Sequence, residues 1–436
     1  MNYSEALNYI HESHKFGVRL GLDNIKKLLE LLGNPQDNLN IIHVAGTNGK
    51  GSTCSFISTI LKESGYKVGL YTSPYLETFT ERIRVNGENI PEEEVARIIN
   101  IIKEKIEIMV AEGYSSPTEF EIVTAMAFYY YNDQNVDFVA LEVGLGGRYD
   151  ATNVIKNSLV NVIASISLDH TRILGDTLGK IAYEKGGIIK DNSTTILYPQ
   201  KQEAKEVIKE ICKEKNSKYI ECNFNYVNIK ECNIYSQKFD CVINHKEYKD
   251  LEIKLIGEHQ INNAILALTT IDFINEEKQL NISEENIRKG LIETRWPGRI
   301  EIIKENPMFI IDGAHNEDGA ISLAKSIDKY LQDKYLQDKN LTLIIGMLED
   351  KDINSVLDIL IPRFNKIITT TPNNPRAIDA EELANKVSLY NKYVICKPSI
   401  HEAVEYSLEN IKDNEIIISA GSLYMIGEVR TLIKNQ

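Results

Sequence analysis

A short glycine-rich segment near the N-terminus has the residue types that bind a nucleotide phosphate chain. Its residues are Gly46, Thr47, Asn48, Gly49, Lys50, Gly51 and Ser52. Glycines allow backbone N–H groups to face phosphate oxygens, Lys50 adds a full positive charge, and Ser52 offers a hydroxyl to a phosphate or to Mg²⁺. A plain glycine-rich turn is the structural alternative, but the lysine and the serine stand where phosphate binding requires them. The segment therefore predicts a phosphate-binding loop.

Other residues suited to phosphate chemistry follow apolar runs elsewhere in the chain. Glu142 comes directly after the run 136–141, and its carboxylate is a hard oxygen ligand of the kind that Mg²⁺ prefers. Ser73 offers a hydroxyl at the end of a neighbouring predicted strand, and His170 offers an imidazole to a second metal. On the residues alone, a solvated carboxylate and a structural histidine stay open as alternatives.

The elements that must position these residues are predicted by hydrophobic periodicity. Short apolar runs alternate with helical patterns from about residue 40 to the C-terminus, which predicts βαβ units and parallel sheets. In open α/β sheets ligands bind at the carboxyl ends of strands, so the residues above are expected at such an edge. The predicted fold class is α/β: a P-loop ATPase domain with a mostly parallel sheet, and a smaller Rossmann-like α/β domain at the C-terminus.

The single tryptophan, Trp296, precedes a Pro-Gly pair that predicts a linker between the two domains. We place the domains at residues 1–295 and 296–436. Residues 192–255 are rich in lysine and asparagine and predict a peripheral helix with antiparallel strands. A tandem duplication at residues 330–339 predicts an exposed insertion.

Length and composition limit the class of protein. A chain of 436 residues is long enough for two domains, and 43% hydrophobic with 26% charged residues is typical of a globular protein. The net charge of −14 disfavours nucleic acid and anionic membranes as partners. No apolar run reaches the length of a membrane span and the N-terminus lacks a signal-peptide pattern, so a cytoplasmic location is expected. The six cysteines include no close pair, which favours reduced thiols over a zinc site.

The phosphate loop departs from the general GxxxxGK[ST] pattern, because Gly51 follows Lys50 and the hydroxyl comes one residue later, at Ser52. The run Gly-Thr-Asn-Gly-Lys resembles the P-loop of the Mur ligase superfamily, whose members are ATP-dependent amide-bond formers. Its continuation resembles the folate branch, the dihydrofolate synthase and folylpolyglutamate synthase family. Further motifs similar to those of this family lie at residues 16–17, 20–22, 72–74, 81–83, 141–148, 150–153, 168–170, 184–188, 259–260, 263–264, 296–299 and 312–316.

The resemblance implies ATP and two Mg²⁺ ions at the phosphate loop. Ser73 and Glu142 are expected around the first ion, and Glu142 with His170 around the second. The resemblance also implies that Lys185 can be carbamylated, which would convert a cation into an anionic oxygen ligand for the second ion. The residues alone equally allow Lys185 to be a surface charge paired with an acidic neighbour.

The resemblance further implies contacts with the nucleotide and the substrates. The candidates are Asn263 near adenine; Arg299, Asp312 and His315 on the nucleotide and glutamate; Phe120 and Asp150 at a pterin pocket; and Ser422 on glutamate. For the segment that holds Phe120 there is a structural alternative, because Thr118 and Glu121 fit the capping box that starts a helix.

The function that the resemblance implies is an ATP-dependent ligase. It would join L-glutamate to folate, to dihydropteroate or to both through an acyl phosphate, and it is expected to be a monomer. A Mur-type ligase acting on a UDP-linked cell-wall precursor is the nearest alternative, but the Gly51-Ser52 pair and residues 150–153 disfavour it. A regulatory P-loop NTPase is less favoured, because the chain has no Asn-Lys-x-Asp motif for guanine.

Overall fold

The computed structural model describes residues 1–13, 21–330 and 339–435. The family-like motif at residues 16–17 and most of the tandem duplication lie outside this range. The chain divides into two compact units. The first contains Met1–Tyr226, Cys241–Tyr248 and Asn263–Thr294, and the second contains Val227–Asp240, Lys249–Asn262 and Arg295–Gln436. The assignment of domains to residues 1–295 and 296–436 stays a prediction.

The first unit is built on an eight-stranded sheet. Its strands are β1 (Ile41–Ala45), β2 (Val68–Tyr71), β3 (Ile83–Val85), β4 (Glu88–Asn89), β5 (Phe138–Glu142), β6 (Val160–Ile163), β7 (Thr194–Leu197) and β8 (Lys218–Glu221). They lie in the order β4-β3-β2-β5-β1-β6-β7-β8. The neighbouring strands β2, β5, β1, β6, β7 and β8 pair in parallel. The strands β3 and β4 add an antiparallel hairpin at the edge next to β2. The predicted α/β class, with a mostly parallel sheet, is confirmed for this unit.

Helices pack on this sheet, and one of them carries the phosphate loop at its start. They are α1 (Tyr3–Glu12), α2 (Asp23–Leu31), α3 (Lys50–Glu63), α4 (Glu92–Ala111), α5 (Glu119–Asp133), α6 (Thr171–Leu174), α7 (Leu178–Gly186), α8 (Gln202–Glu214) and α10 (Glu284–Glu293), while α9 (Glu258–Glu277) crosses the division between the units. Nearly every residue of α3 from Gly51 to Leu61 is buried. Because its faces are covered, the helix that begins at Lys50 is fixed in the core.

Residues 192–221 differ from the predicted peripheral antiparallel segment. β7 pairs in parallel with β6, β8 pairs in parallel with β7, and α8 connects the last two strands. Ile208 and Ile211 of α8 share a buried cluster with Leu197 of β7. The apolar face of α8 therefore completes a further βαβ unit, which the many exposed lysines of this segment conceal in the sequence. Beyond it, β9 (Asn228–Cys232), β10 (Gln237–Ile243) and β11 (Lys246–Ile253) form a three-stranded sheet, in which β9 and β10 are antiparallel as expected.

The second unit contains a six-stranded sheet in the order β12-β13-β17-β14-β15-β16. Its strands are β12 (Glu301–Glu305), β13 (Met308–Ile311), β14 (Asn340–Ile345), β15 (Lys366–Thr369), β16 (Val394–Cys396) and β17 (Glu415–Ala420). Its helices are α11 (Glu317–Tyr330), α12 (Ile353–Leu360), α13 (Ala380–Val387), α14 (Ile400–Glu409) and α15 (Leu423–Lys434). All pairs except the antiparallel β12-β13 edge are parallel, which confirms a smaller α/β unit at the C-terminus.

Two expectations from composition concern cysteines and membranes. Each of the six cysteines is a free thiol, and four of them are buried, in agreement with the predicted reduced thiols. Within the described ranges, none of the helices is both long enough and apolar enough to cross a bilayer.

The packing of α10 on α3 depends on a glycine and gives a first prediction. A Cβ at Gly290 would lie 2.5 Å from the Cα of Ile60 and 2.9 Å from its backbone nitrogen. We expect Gly290→Ala to lower the free energy of unfolding by about 1–3 kcal/mol, because the backbone of α3 cannot yield without disturbing the core. Chemical denaturation measures this change.

Gly179→Ala in α7 is the matched control. The added Cβ would meet only the carboxylate end of Glu203 at 2.9 Å, which is a flexible group. Since alanine favours a helix over glycine by about 1 kcal/mol, this variant should be as stable as the unmodified chain or slightly more so. Equal losses in the two variants would contradict the proposed tight contact.

Candidate functional site

The phosphate loop joins β1 to α3 and is tied to the segment that follows β6. The backbone N–H of Thr47 donates to the carbonyl of Ser165 at 2.7 Å, and its hydroxyl donates to the carbonyl of Ser167 at 3.1 Å. Gly49 precedes α3 with φ +82°, in the left-handed region that favours glycine. A Cβ at this position would overlap the side-chain amide of Asn263, so the predicted adenine-side residue lies directly against the loop.

Three predicted residues meet at the carboxyl edge of the central strands. Lys50 Nζ donates to the carbonyl of Thr47 at 3.2 Å and lies 3.9 Å from Glu142 Oε1. The other carboxylate oxygen, Oε2, accepts the backbone N–H of Ser73 at 3.1 Å. Since β2, β5 and β1 are adjacent, the ends of these strands bring a cation, a carboxylate and a serine together. Ser52, in the first turn of α3, is only 2% exposed.

The oxygen donors at this edge fit a magnesium ion whose coordination shell is completed by the phosphate oxygens of a nucleotide. Over the described residues, no group of three or more His, Cys, Asp or Glu side chains is placed to hold a metal by itself. Mg²⁺ bound with nucleotides usually takes one or two protein oxygens and fills its shell with phosphate oxygens and water. The carboxylate of Glu142 and the hydroxyls of Ser52 and Ser73 are donors of that hard class.

Lys185 of α7 is buried beside the phosphate loop. It is 3% exposed, and its Nζ donates to the carbonyl of Gly46 at 2.8 Å. Burial and then the nearby charge of Lys50 lower its pKa from 10.5 to about 7, against the opposing charges of Asp169 and Asp150. Above pH 7 an amine with this pKa is largely neutral, and the neutral amine is the form that reacts with carbon dioxide. The alternative of a surface charge is wrong, because the side chain is enclosed.

His170 and its neighbour Asp169 lie at the start of α6. His170 has φ +49°, its side chain is about one third exposed, and its Nε2 lies 3.9 Å from Asp169 Oδ1. Asp169 was not among the predicted site residues. Its charge acts on Lys185, and its place in the family-like motif at residues 168–170 was the available signal.

Asp150 is enclosed and bound to the backbone of its own loop. Its Oδ2 accepts the N–H of Leu145 at 2.8 Å, and its Oδ1 accepts the N–H and the hydroxyl of Thr152 at 3.0 and 2.5 Å. Burial raises the pKa of this carboxyl, and these hydrogen bonds oppose the rise. These bonds give Asp150 a structural role, and its contact with substrate stays a prediction.

Phe120 lies in the first turn of α5, against the loop that follows β5. A Cβ at Gly144 would overlap the Phe120 ring, and the ring lies 6.2 Å from that of Tyr71. The capping box of Thr118 and Glu121 is present, so the structural alternative for this segment is correct for the helix start and leaves the role of the Phe120 ring untested.

The loop that follows Ser73 contains an anchor that sequence reasoning passed over. The Glu81 carboxylate accepts the backbone N–H groups of Leu76, Glu77 and Thr78 at 2.9–3.0 Å. These bonds hold the loop next to the strand end that carries Ser73. Glu81 stands in one of the family-like motifs, but nothing in the sequence indicated which backbone groups it binds.

The remaining predicted residues lie in the second unit, at the carboxyl ends of β13 and β17. Asp312 is 6% exposed, and its carboxylate accepts the N–H groups of Ile300 and Ala314 at 2.9 and 2.8 Å. Burial raises the pKa of Asp312, and the charge of Arg299 opposes the rise. A Cβ at Gly313 would overlap the guanidinium of Arg299, so these two predicted residues share one small region.

His315 and Ser422 lie at the same sheet edge of the second unit. The Nδ1 of His315 is 2.8 Å from the carbonyl of Gly313. Ser422 precedes α15 and is 2% exposed, and its hydroxyl oxygen is buried without a hydrogen-bond partner in the described part of the chain. A buried hydroxyl in this state retains its capacity to bind a polar ligand group.

Comparison with known families identifies both halves of the chain. The Mur ligase middle domain matches residues 44–271, and the Mur ligase glutamate ligase domain matches residues 298–423. The chain is 37% identical over 434 residues to the dihydrofolate synthase/folylpolyglutamate synthase of Bacillus subtilis, with 99% of each sequence covered.

Two solved structures extend the similarity to the fold. Mycobacterium tuberculosis folylpolyglutamate synthase complexed with ADP matches with a TM-score of 0.90 at 29% identity, with 99% of each chain covered. An FPGS-AMPPCP-folate complex matches with a TM-score of 0.84 at 32% identity over 99% of each chain. The chain belongs to the Mur ligase superfamily and, within it, to the dihydrofolate synthase and folylpolyglutamate synthase family. The resemblance and fold class predicted from the sequence are thereby confirmed.

The buried amine of Lys185 gives a prediction about stability. Because its pKa is about 7 in the folded chain and 10.5 when exposed, the unfolded state binds more protons between these values, and stability should rise with pH across that window. We expect Lys185→Met to raise the free energy of unfolding at pH 7 by up to a few kcal/mol, since it removes the cost of burying a cation. The gain should shrink as the pH approaches 10.

Chemical denaturation in buffers free of carbon dioxide measures this effect without interference from carbamylation. Lys180→Met in the same helix is the control, because that side chain is 62% exposed and its loss should change stability by less than about 1 kcal/mol. If the Lys185→Met variant is less stable than the unmodified chain at pH 7, the assignment of an energetically costly amine is contradicted.

Proposed function

We propose that this chain is an ATP-dependent ligase that joins L-glutamate to a folate-type acceptor. The observation that carries the proposal is the convergence of Lys50, Ser73 and Glu142 at the end of the phosphate loop, in a chain that belongs to this family throughout its length. The relative from Bacillus subtilis has both dihydrofolate synthase and folylpolyglutamate synthase in its name. The acceptor is therefore dihydropteroate, a folate or both.

The chemistry follows from the poor reactivity of a carboxylate. Its leaving group would be an oxide, so an oxygen of the acceptor carboxylate first attacks the γ-phosphorus of ATP, giving an acyl phosphate and ADP. The α-amine of glutamate then attacks the acyl carbon, and inorganic phosphate leaves as the amide forms and the amine loses a proton. Both steps need stabilisation of phosphoryl charge and exclusion of water.

The phosphate loop supplies the groups that this chemistry needs. Backbone N–H groups of residues 46–52 and the hydroxyl of Ser52 would bind the phosphates, and Lys50 would offset charge on the transferring group. Asn263, which lies against Gly49, would contact the base side of the nucleotide. In the second unit, Arg299 and Asp312 are proposed nucleotide contacts.

The proposed metal sites use the oxygen donors at the same edge. Ser73 and Glu142 would hold one Mg²⁺, and Glu142, His170 and a carbamylated Lys185 would hold a second. Bound Mg²⁺ would neutralise phosphate charge and orient the phosphoryl group. The neutral form of the Lys185 amine supports carbamylation, because only that form adds to carbon dioxide.

The acceptor and glutamate are assigned to further residues. Phe120 and Asp150 are proposed at the pterin end, where the Phe120 ring lies against the backbone after β5. His315 and Ser422 are proposed to bind glutamate, and the unpartnered hydroxyl of Ser422 supports this role. A monomer in the cytoplasm is the proposed working form, without nucleic acid or membrane as partner.

Phosphate release from ATP with Mg²⁺ and glutamate tests the function. The acceptors offered in parallel are dihydropteroate, tetrahydrofolate and a UDP-linked cell-wall precursor. We expect turnover with one or both of the first two, which also decides between a dihydrofolate synthase, a polyglutamate synthase and a bifunctional enzyme. Turnover with the cell-wall precursor alone would replace the folate proposal by the other Mur-type activity.

Variants of the phosphate edge, the place where Lys50, Ser73 and Glu142 meet, test the site. Lys50→Ala should abolish turnover, a loss of at least about 100-fold, because it removes the charge on the phosphates, and Glu142→Gln should do the same through the metal. Lys62→Ala near the end of α3 and Glu88→Gln in the β3-β4 hairpin are matched controls with exposed side chains. Near-normal rates in either folded site variant would refute the assignment of that residue.

A further inference from the structure

A continuous hydrogen-bond network links three buried residues in the interior of the first unit. The Nε2 of His43, in the middle of β1, is 2.9 Å from the hydroxyl of Thr152. That hydroxyl is 2.5 Å from Asp150 Oδ1. His43 and Thr152 are completely buried, and Asp150 is 6% exposed. None of the family-like motifs or predicted site residues includes His43.

The hydrogen bonds that Asp150 accepts determine the direction of the remaining bond in this network. Both oxygens of Asp150 accept backbone N–H groups, so the carboxylate acts as an acceptor, and the single proton of the Thr152 hydroxyl goes to it. The hydroxyl oxygen must then accept from His43, which places the imidazole proton on Nε2. Burial, together with the charge of Lys190, lowers the pKa of His43 well below its usual 6.5, so the ring is neutral.

This arrangement leaves the other ring nitrogen without a partner. The Nδ1 of His43 is buried and makes no hydrogen bond within the described part of the chain. An unsatisfied buried polar atom usually costs about 1–3 kcal/mol. The flanking strand residues, Ile42 and Val44, are apolar and fully buried, so an apolar residue at position 43 would suit the core better. A histidine at position 43 therefore carries a cost in stability.

At the Asp150 end of this hydrogen-bond network, the carboxylate binds the loop that follows Glu142. Asp150 Oδ2 accepts the N–H of Leu145 in that loop at 2.8 Å. Further along, a Cβ at Gly147 would lie 2.8 and 2.9 Å from the carbonyls of Glu184 and Lys185. The loop is thus pressed against the helix that carries Lys185, and a shift of the Asp150 carboxylate would move the loop between two proposed metal-binding residues.

We propose that His43 and Thr152 are positioning residues. They act through Asp150 to fix the position of the loop at residues 144–148 relative to Glu142 and Lys185. The inference rests on the proposed function only for its kinetic consequence. The hydrogen-bond direction itself is a property of the folded chain, and it is measurable whatever the activity proves to be.

The first test reads the imidazole directly. The full chain is labelled with ¹⁵N-histidine, and two-bond ¹H–¹⁵N spectra are recorded. The His43 signals are assigned by their loss in the His43→Gln variant. We expect His43 to be the neutral Nε2–H tautomer, with an Nε2 proton that is protected from exchange with solvent. Thr152→Val, which removes the hydroxyl at nearly constant shape, should abolish this protection. A cationic ring, or the Nδ1–H tautomer, in the unmodified chain would overturn the proposal without any need for a variant to fold.

The second test separates positioning from stability. Thr152→Val should lower kcat by about 10-fold to 100-fold, with a change below about threefold in the KM for ATP, because the nucleotide contacts remain while the loop shifts. Thr152→Ser, which keeps the hydroxyl, should restore most of the rate. Thr195→Val is the matched control, since it removes a buried strand hydroxyl that bonds Ser217 at 2.9 Å, and it should leave kcat and the His43 spectrum unchanged.

If Thr152→Val lowers thermal stability but leaves kcat intact, the chain of hydrogen bonds is structural only and the proposal fails. If the unmodified protein turns over none of the offered acceptors, the proposed function fails instead. In that case the His43 spectrum supplies the readout: a protected Nε2 proton in the unmodified chain that Thr152→Val removes keeps the positioning assignment, whereas its absence from the unmodified chain, or its survival in Thr152→Val, refutes the assignment.

Discussion

The burial of a second lysine beside Lys50, at one loop, is the constraint on which the phosphate edge depends. Lys50 and Lys185 approach the same short segment, the first through the carbonyl of Thr47 and the second through that of Gly46. Glu142 offsets the charge of Lys50, and burial, followed by the charge of Lys50, lowers the pKa of Lys185 to about 7. The end of β5, the start of α3 and α7 hold these groups close despite that cost. A bound anion at this loop would lessen the repulsion between the two ammonium groups.

Much of this edge was predictable from the sequence because it depends on local order. Strand, glycine loop and helix are consecutive, so the positions of Lys50 and Ser52 follow from the chain itself. Glu142 and Ser73 were also predictable, since each ends an apolar run and parallel strands end at a common edge. The α/β class follows from the same alternation, although the lysine-rich helix α8 concealed one βαβ unit.

The contacts that sequence reasoning missed join distant parts of the chain. Asp169 influences Lys185 only because α6 and α7 pack near the loop, and Glu81 binds three N–H groups whose orientation depends on a turn. His43 looks like an ordinary strand residue until Thr152, more than a hundred positions away, is placed beside it. Burial of Lys185 belongs to the same class, because a helical pattern does not reveal which turn is enclosed.

The close approach of Gly49 and Asn263 restricts how this chain can vary. A side chain of any size at residue 49 would collide with Asn263, and the positive φ at that residue adds backbone strain for every other amino acid. A compensating change would have to shorten Asn263 and relax the start of α3 at once. An inhibitor that binds the backbone of this turn would therefore meet few single-residue routes to resistance.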